Sequence, residues 1–186
     1  MMRGLEASVV RNDFQAQWGF SLTSNWRRKR LQDEVENPPI PVEILLVDDN
    51  PGDIELTKVA LRDAKIMNEI HVARDGAEAL AFLRCEGEFV NALRPDLVLL
   101  DLKMPRVDGF QVLAEMRADP ELRSIPVIVM SSSSAEKDLA RAYDAQISAY
   151  LVKPSNFDEY FNAIRAVKEL WFHVVALPPK TRSAAN

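Results

Sequence analysis

Five polar residues stand where aliphatic runs stop. Asp48 and Asp49 follow "EILLV", Asp101 follows "LVLL", Ser131 follows "IPVIVM" and Lys153 follows "SAYLV". An acid that ends a buried strand lies at the rim of a sheet, where it must be solvated, paired or bound to a metal. If the first and third of these runs are neighbours in the sheet, three carboxylates crowd one rim, and their repulsion demands a divalent cation or raised pKa values. Oxygen-only ligands with open coordination positions suit Mg²⁺, which keeps several waters and favours a phosphate partner. An ammonium beside Asp101 would balance the charge added by phosphorylating that carboxylate, and a hydroxyl at Ser131 could donate to a phosphoryl oxygen. Aspartate is an established nucleophile for acyl phosphate formation. Phosphoryl transfer requires in-line positioning and charge neutralisation more than acid-base groups. Taken singly, each signal has a plain alternative: a solvated helix start at Asp48-Asp49, a polar loop at Ser131–Ser134, a turn at Lys153-Pro154. Their shared position at the ends of four strand-like runs favours a site.

The elements that must position these residues alternate along the chain. "EILLV" is followed by a helix with Asn50 as its cap and Pro51 in its first turn, both favoured there. "EIHVA" precedes a helix beginning near Asp75-Gly76, "LVLL" one near Asp108, "IPVIVM" one near Ser134, and "SAYLV" a long last helix from Asn156. Strands that are apolar on both faces, each followed by a helix, imply a parallel sheet covered on both sides. Five such units make a doubly wound α/β domain, in which ligands bind at the carboxyl ends of the strands. Pro105 and Gly109 read as a turn that clears space above Asp101, with Asp108 capping the next helix.

"NPPIP", Asn37 to Pro41, marks a boundary, because its prolines remove backbone donors and forbid a continuing helix. The expected organisation is an extension over 1–40, a domain over 41–177 and a tail over 178–186. The extension carries Phe14, Trp18, Phe20 and Trp26 without clear periodicity. With 47% hydrophobic and 27% charged residues, the composition is that of a soluble globular protein. The single cysteine, Cys85, cannot form an internal bridge, and no window reaches the roughly 18 apolar residues of a membrane span. A reducing cytoplasm is the expected setting. The net charge of −5 is spread as six basic against five acidic residues up to Ile40, and 17 against 23 after it. An acidic body argues against nucleic-acid binding, which depends on phosphate neutralisation. "RRKR" at Arg27–Arg30 reads as a solvated face beside Asp33, Glu34 and Glu36.

The blocks "LLVDDN", "LLDLKMPRVDG", "VIVMSSSS" and "YLVKP" resemble the signature of the receiver domain of two-component response regulators, over roughly residues 42 to 175. That resemblance implies a flavodoxin-like five-stranded parallel sheet with helices on both faces. It also implies Mg²⁺ as cofactor and a sensor histidine kinase as partner. Carried over position by position, Asp101 matches the phosphoacceptor, and Asp48 and Asp49 the acid pair that holds the metal together with Asp101 and the backbone carbonyl of Lys103. Ser131 and Tyr150 match the switch hydroxyl and aromatic, and Lys153 the site lysine. A cis peptide before Pro154, aiming Lys153 into the site, is a further implication; X-Pro is the bond where the cis form is accessible. Lys103 itself is a departure, placing a long cation beside the acceptor. A lengthened connection, "RCEGEFVNALRPDL", together with "NPGDIELTKVAL" and "ELWFHVVALP", resembles the single-domain regulators that serve bacterial phytochromes.

Only nine residues follow Leu177, so the signal is expected to leave through protein contacts. On the last helix Phe157, Tyr160, Phe161, Ile164, Val167 and Trp171 recur at spacings of three and four and read as a core stripe. Phe172, Val174, Val175 and Leu177 continue beyond it; they could fold back onto the chain's own surface, but an isologous homodimer through this helix and the fifth strand is the favoured reading. Phosphorylated Asp101 would draw Ser131 inward and let Tyr150 turn into the vacated space. Two alternatives compete: a phosphatase of the haloacid dehalogenase type, and a pseudo-receiver scaffold that is never phosphorylated. The first requires a second Asp two residues after the nucleophile, where this chain has Lys103. The second is disfavoured by the intact set Asp48, Asp49, Asp101, Ser131 and Lys153. His71 and His173 form no phosphodonor or metal pattern and read as structural or surface residues.

Overall fold

The computed structural model describes residues 41–62 and 68–173, leaving out the side chains of Lys168, Phe172 and His173. Expectations that fall on 1–40, including "RRKR", and on the apolar continuation after Trp171 lie outside the described residues. The described chain alternates strand and helix: β1 Val42–Val47, α1 Pro51–Arg62, β2 Asn68–Ala73, α2 Gly76–Leu83, β3 Leu97–Asp101, α3 Gly109–Ala118, β4 Val127–Ser131, α4 Glu136–Asp144, β5 Ala149–Val152 and α5 Phe157–His173. The strands form one parallel sheet in the order β2-β1-β3-β4-β5. The doubly wound expectation therefore holds, and the first and third strands are neighbours.

Alternation along the central strands feeds two cores. Leu45, Val47, Val98, Leu100, Val127 and Val129 face a layer built from α2, α3 and α4. Ile44, Leu46, Leu97, Leu99, Ile128 and Met130 face α1 and α5. Burying each such side chain favours folding by roughly 1.5–3 kcal/mol. Because β1, β3 and β4 are covered on both faces, their sequences are continuous aliphatic runs rather than alternating ones.

The helix starts follow their caps, with one exception. Asn50 Oδ1 accepts the Gly52 amide at 2.9 Å, and Asn156 Oδ1 accepts that of Asp158 at 2.8 Å. Asp75 Oδ1 accepts the amides of Ala77 and Glu78. Asp108 and Gln111 form a reciprocal capping box at the start of α3. The exception is α4, expected to begin near Ser134. It begins at Glu136, with Ala135 at the cap position and no side-chain cap bond. The preceding Ser133 hydroxyl instead donates to Asp138 on the first turn, at 2.6 Å, so the serine run is spent on the side chain of the helix rather than on its first amides.

Two further expectations are corrected. The peptide before Pro154 is trans. Lys153 needs no cis bond to reach the site, because its amide donates to the Ser131 carbonyl at 2.7 Å, continuing the β4–β5 pairing one residue past the strand. Phe157, expected in the core stripe, is 59% exposed. It sits at the first position of α5, before the helix has turned onto the sheet, and stacks on Phe161. Tyr160 and Ile164 are buried as expected, with Phe161, Val167 and Trp171 packed at the margin of that core. The lengthened α2–β3 connection contains a single 3₁₀ turn at Gly87–Phe89, anchored by Phe89 against Phe82.

Candidate functional site

Register brings the strand-end residues together. Val47 is paired with Leu100, so the next residue on each strand, Asp48 and Asp101, are neighbours at the carboxyl rim. Ser131 is paired with Val152, so Lys153 emerges on the same rim. Asp48 is fully buried and Asp101 is nearly so, while Asp49 is exposed. Oxygens of these three carboxylates lie within 4.8 Å of one another. An all-oxygen cluster of this span, open to solvent on the Asp49 side, fits a hard divalent cation.

The Lys153 ammonium closes the cluster from the other side. Its Nζ donates to Asp48 Oδ2 at 2.7 Å, Asp101 Oδ2 at 2.8 Å and Asp53 Oδ2 at 2.8 Å. Burial pulls the lysine's pKa down, but its hydrogen bonds to Asp101, Asp48 and Asp53 outweigh that and lift it above the ordinary lysine value. Burial pushes the Asp48 carboxyl up, and Lys153 opposes this. The remaining oxygens are aimed by backbone amides: Asn50 N donates to Asp48 Oδ1 at 2.9 Å and Lys103 N to Asp101 Oδ1 at 3.0 Å. The side chain of Lys103 is exposed.

The roof over Asp101 depends on a missing side chain. A Cβ at Gly109 would lie 2.3 Å from the Asp101 carbonyl oxygen and 2.7 Å from Leu102 Cα. The first turn of α3 therefore rests directly on the backbone that carries the Asp101 carboxylate, an approach only glycine allows. A second tie comes from Arg106, whose φ of 67° lies in the left-handed region. Its guanidinium pairs with Asp75, the cap of α2. The loops after β2 and β3 are thus joined, and Val107 fills the space beside Gly76, where a Cβ would lie 2.5 Å from its carbonyl oxygen.

Ser131 and Tyr150 lie on the other side of Asp101. Ser131 is buried, and its hydroxyl accepts the Ser133 amide at 3.2 Å. The Tyr150 hydroxyl donates to the Ser133 carbonyl at 2.9 Å, so the ring already leans over the β4–α4 loop. Of the two histidines, His71 pairs with buried Glu43 at 2.7 Å and lies against Phe82. Its register partner on β1 is Leu45, and it belongs to no cluster of potential metal ligands among the described residues.

Sequence reasoning missed Asp53. The signal was present: a helix opened by Asn50-Pro51 places residue 53 in its first turn, facing the same rim as Asp48 and Asp49. Arg106 and Asp75 were also missed as a pair, because nothing in their spacing of 31 residues marks them as partners.

A parallel sheet of order 2-1-3-4-5, with an acid triad and a lysine at its carboxyl rim, defines a receiver. The family model for the response regulator receiver domain matches residues 44–165, and this chain belongs to that family. Response regulator Rcp1 from Synechocystis sp. is 38% identical over 148 residues, which span 80% of this chain and 99% of that protein. The crystal structure of the phosphorylated cyanobacterial phytochrome response regulator RcpA superposes with a TM-score of 0.73 at 43% identity, covering 75% of this chain and 100% of that one. The Mn²⁺-bound form of Rcp1 gives a TM-score of 0.73 at 39% identity, with coverages of 75% and 100%. The chain is thus a receiver-type signalling protein homologous to a regulator of the phytochrome class. The dehalogenase-type phosphatase is not favoured. Among the described residues no helix is long and apolar enough to cross a membrane.

Proposed function

We propose that Asp101 accepts a phosphoryl group from a phosphohistidine of a sensor histidine kinase, with Mg²⁺ held by Asp48, Asp49, Asp101 and the Lys103 carbonyl. The observation that carries this reading is the Asp101 carboxylate, nearly buried, with one oxygen on Lys153 and within ligand distance of two further carboxylates. A magnesium ion held by these residues would supply positive charge that offsets the negative charge gathered at the site during transfer. The remaining work belongs to the chain. The Lys103 amide and Lys153 ammonium fix the orientation of the carboxylate, and an Asp101 oxygen forms a bond to phosphorus. The donor's P–N bond breaks, and its electron pair returns to the imidazole. Lys153 then balances the acyl phosphate's added charge. Hydrolysis occurs when a water oxygen bonds to phosphorus and the Asp101 oxygen leaves as carboxylate.

Homology to Rcp1 and RcpA supports a bacterial phytochrome as the kinase. Ser131 and Tyr150 form the switch: a phosphoryl oxygen draws the Ser131 hydroxyl off the Ser133 amide, and the Tyr150 contact on the same residue moves with it. The output surface is the edge strand β5 with α5, where Val152, Phe157 and Leu170 are exposed, and a homodimer forms across it. The receiver unit spans 41–177, between an extension over 1–40 and a tail over 178–186, in the cytoplasm. Acetyl phosphate with Mg²⁺ should label the parent protein and leave Asp101→Asn unlabelled. Equal labelling of both would refute the assignment.

A further inference from the structure

Lys153 spends all three of its ammonium donors on carboxylates, and the third of these lies outside the metal cluster. The cluster of potential ligands contains Asp48, Asp49 and Asp101. Asp53 is not among them, yet it holds Lys153 at 2.8 Å, as closely as Asp101 does. Two of the three partners change their electrostatic demand during the proposed reaction. Asp48 and Asp101 share their charge with a cation when one binds, and Asp101 carries a phosphoryl group afterwards. Asp53 changes in neither event. It sits in the first turn of α1, where the helix dipole favours a carboxylate, and its side chain is 26% exposed against 0% for Asp48.

A lysine is a point charge on a flexible four-carbon stem, and its aim depends on what holds it. With only Asp48 and Asp101 as partners, cation binding would weaken both tethers at the moment the ammonium is needed. We infer that Asp53 is a positioning residue for Lys153, keeping its ammonium beside Asp101 whether that carboxylate is free, near a cation or phosphorylated. The inference rests on the reading of Asp101 as phosphoacceptor and deepens it. Asp53 acts through Lys153 and touches no reacting atom.

The test uses the full chain and two measurements. First, the initial rate of phosphoryl incorporation from acetyl phosphate with Mg²⁺ is compared among the parent, Asp53→Ala, Asp53→Asn, Lys153→Ala and the Asp53→Ala/Lys153→Ala pair. Asp53→Ala should slow labelling roughly ten- to a hundredfold, the scale on which removing an outer partner of a site group acts. Asp53→Asn, which keeps an accepting oxygen, should recover most of the rate, and Asp53→Ala should add nothing once Lys153 is gone. Second, acylation of the Lys153 amine by acetic anhydride, read by peptide mass, should rise severalfold in Asp53→Ala. Parent-like labelling and acylation in Asp53→Ala would overturn the inference, as would an equal loss in the Lys153→Ala background. An unlabelled parent would instead sink the phosphoacceptor reading, while the acylation result would still judge Asp53.

Discussion

Helices α3 and α4 cover the same face of the sheet after neighbouring strands, and they are held very differently. α3 begins with a reciprocal capping box and buries Gly109, Val112, Leu113 and Met116. α4 has no side-chain cap and buries Ala142 alone, leaving Leu139 and Tyr143 exposed. At the surface its Arg141 guanidinium lies 3.8 Å from the Phe110 ring centroid of α3, and Arg117 of α3 donates to the carbonyl of Ala145 at its C-terminal end at 3.2 Å. The loop before α3 rests on Asp101 and is tied to Asp75 through Arg106. The loop before α4 is held by hydrogen bonds centred on Ser133, one of them to the Asp138 carboxylate. The side that carries Asp101 is thus packed and capped, while the side that carries Ser131 rests on fewer buried contacts, which is where a local rearrangement costs least.

This contrast can be broken most forcefully in the cores. Leu113→Ala should cost about 3 kcal/mol, the usual cost of a large cavity in a packed core. Leu139→Ala, on the exposed face of α4, should cost no more than about 0.5 kcal/mol. Urea unfolding midpoints would measure both, and comparable losses would erase the distinction. Next in size is Gly109→Ala, expected to cost roughly 2 kcal/mol because the added methyl meets backbone rather than a movable side chain. If Asp101 is labelled as proposed, this variant should also slow that labelling, since relief of the clash must move the Asp101 peptide itself.

Caps offer a finer test. Asp108→Ala should destabilise by about 1 kcal/mol, whereas Ala135→Asp should stabilise by up to about 1 kcal/mol by supplying the cap that α4 lacks. In hydrogen exchange, the second change should raise protection of the α4 amides. Unchanged α4 exchange would mean that the missing cap is not what loosens the helix. The smallest effect concerns the Asp75 tie. The Glu78 amide, then the Ala77 amide and Arg106, hold the Asp75 carboxyl below its ordinary value against the opposing effect of burial. A depressed carboxylate contributes stability that is present above the unfolded value and lost as pH falls through the folded one. The stability gap between the parent and Asp75→Asn should therefore narrow from about pH 4 downward. A gap of constant size would show that the charge of Asp75 does not matter.

Much of the site was legible because chain order and strand ends carry it. The aliphatic runs before Asp48, Asp101, Ser131 and Lys153 must be buried on both faces, and a doubly wound sheet delivers the residues after those runs to one rim. Asp108 and Asn156 were legible as caps because capping is local. Ser134 misled as the start of α4 because a run of four serines offers several caps, and the choice fell to a contact between Ser133 and Asp138. Phe157 misled because helical spacing fixes which residues share a stripe but not where that stripe first meets the sheet.

By itself, then, the sequence determined the alternation of strands and helices, the set of rim residues and the glycine beneath α3, because each is dictated by burial, chain reach or a local backbone demand. Only the tertiary structure decided that Lys153 reaches the site from a trans peptide, that Asp53 is its third partner, and that Arg106 joins the loop after β3 to the cap of α2. These are pairings between residues distant in the chain. They are set by the angles at which helices leave the sheet, and no local pattern in the sequence encodes those angles.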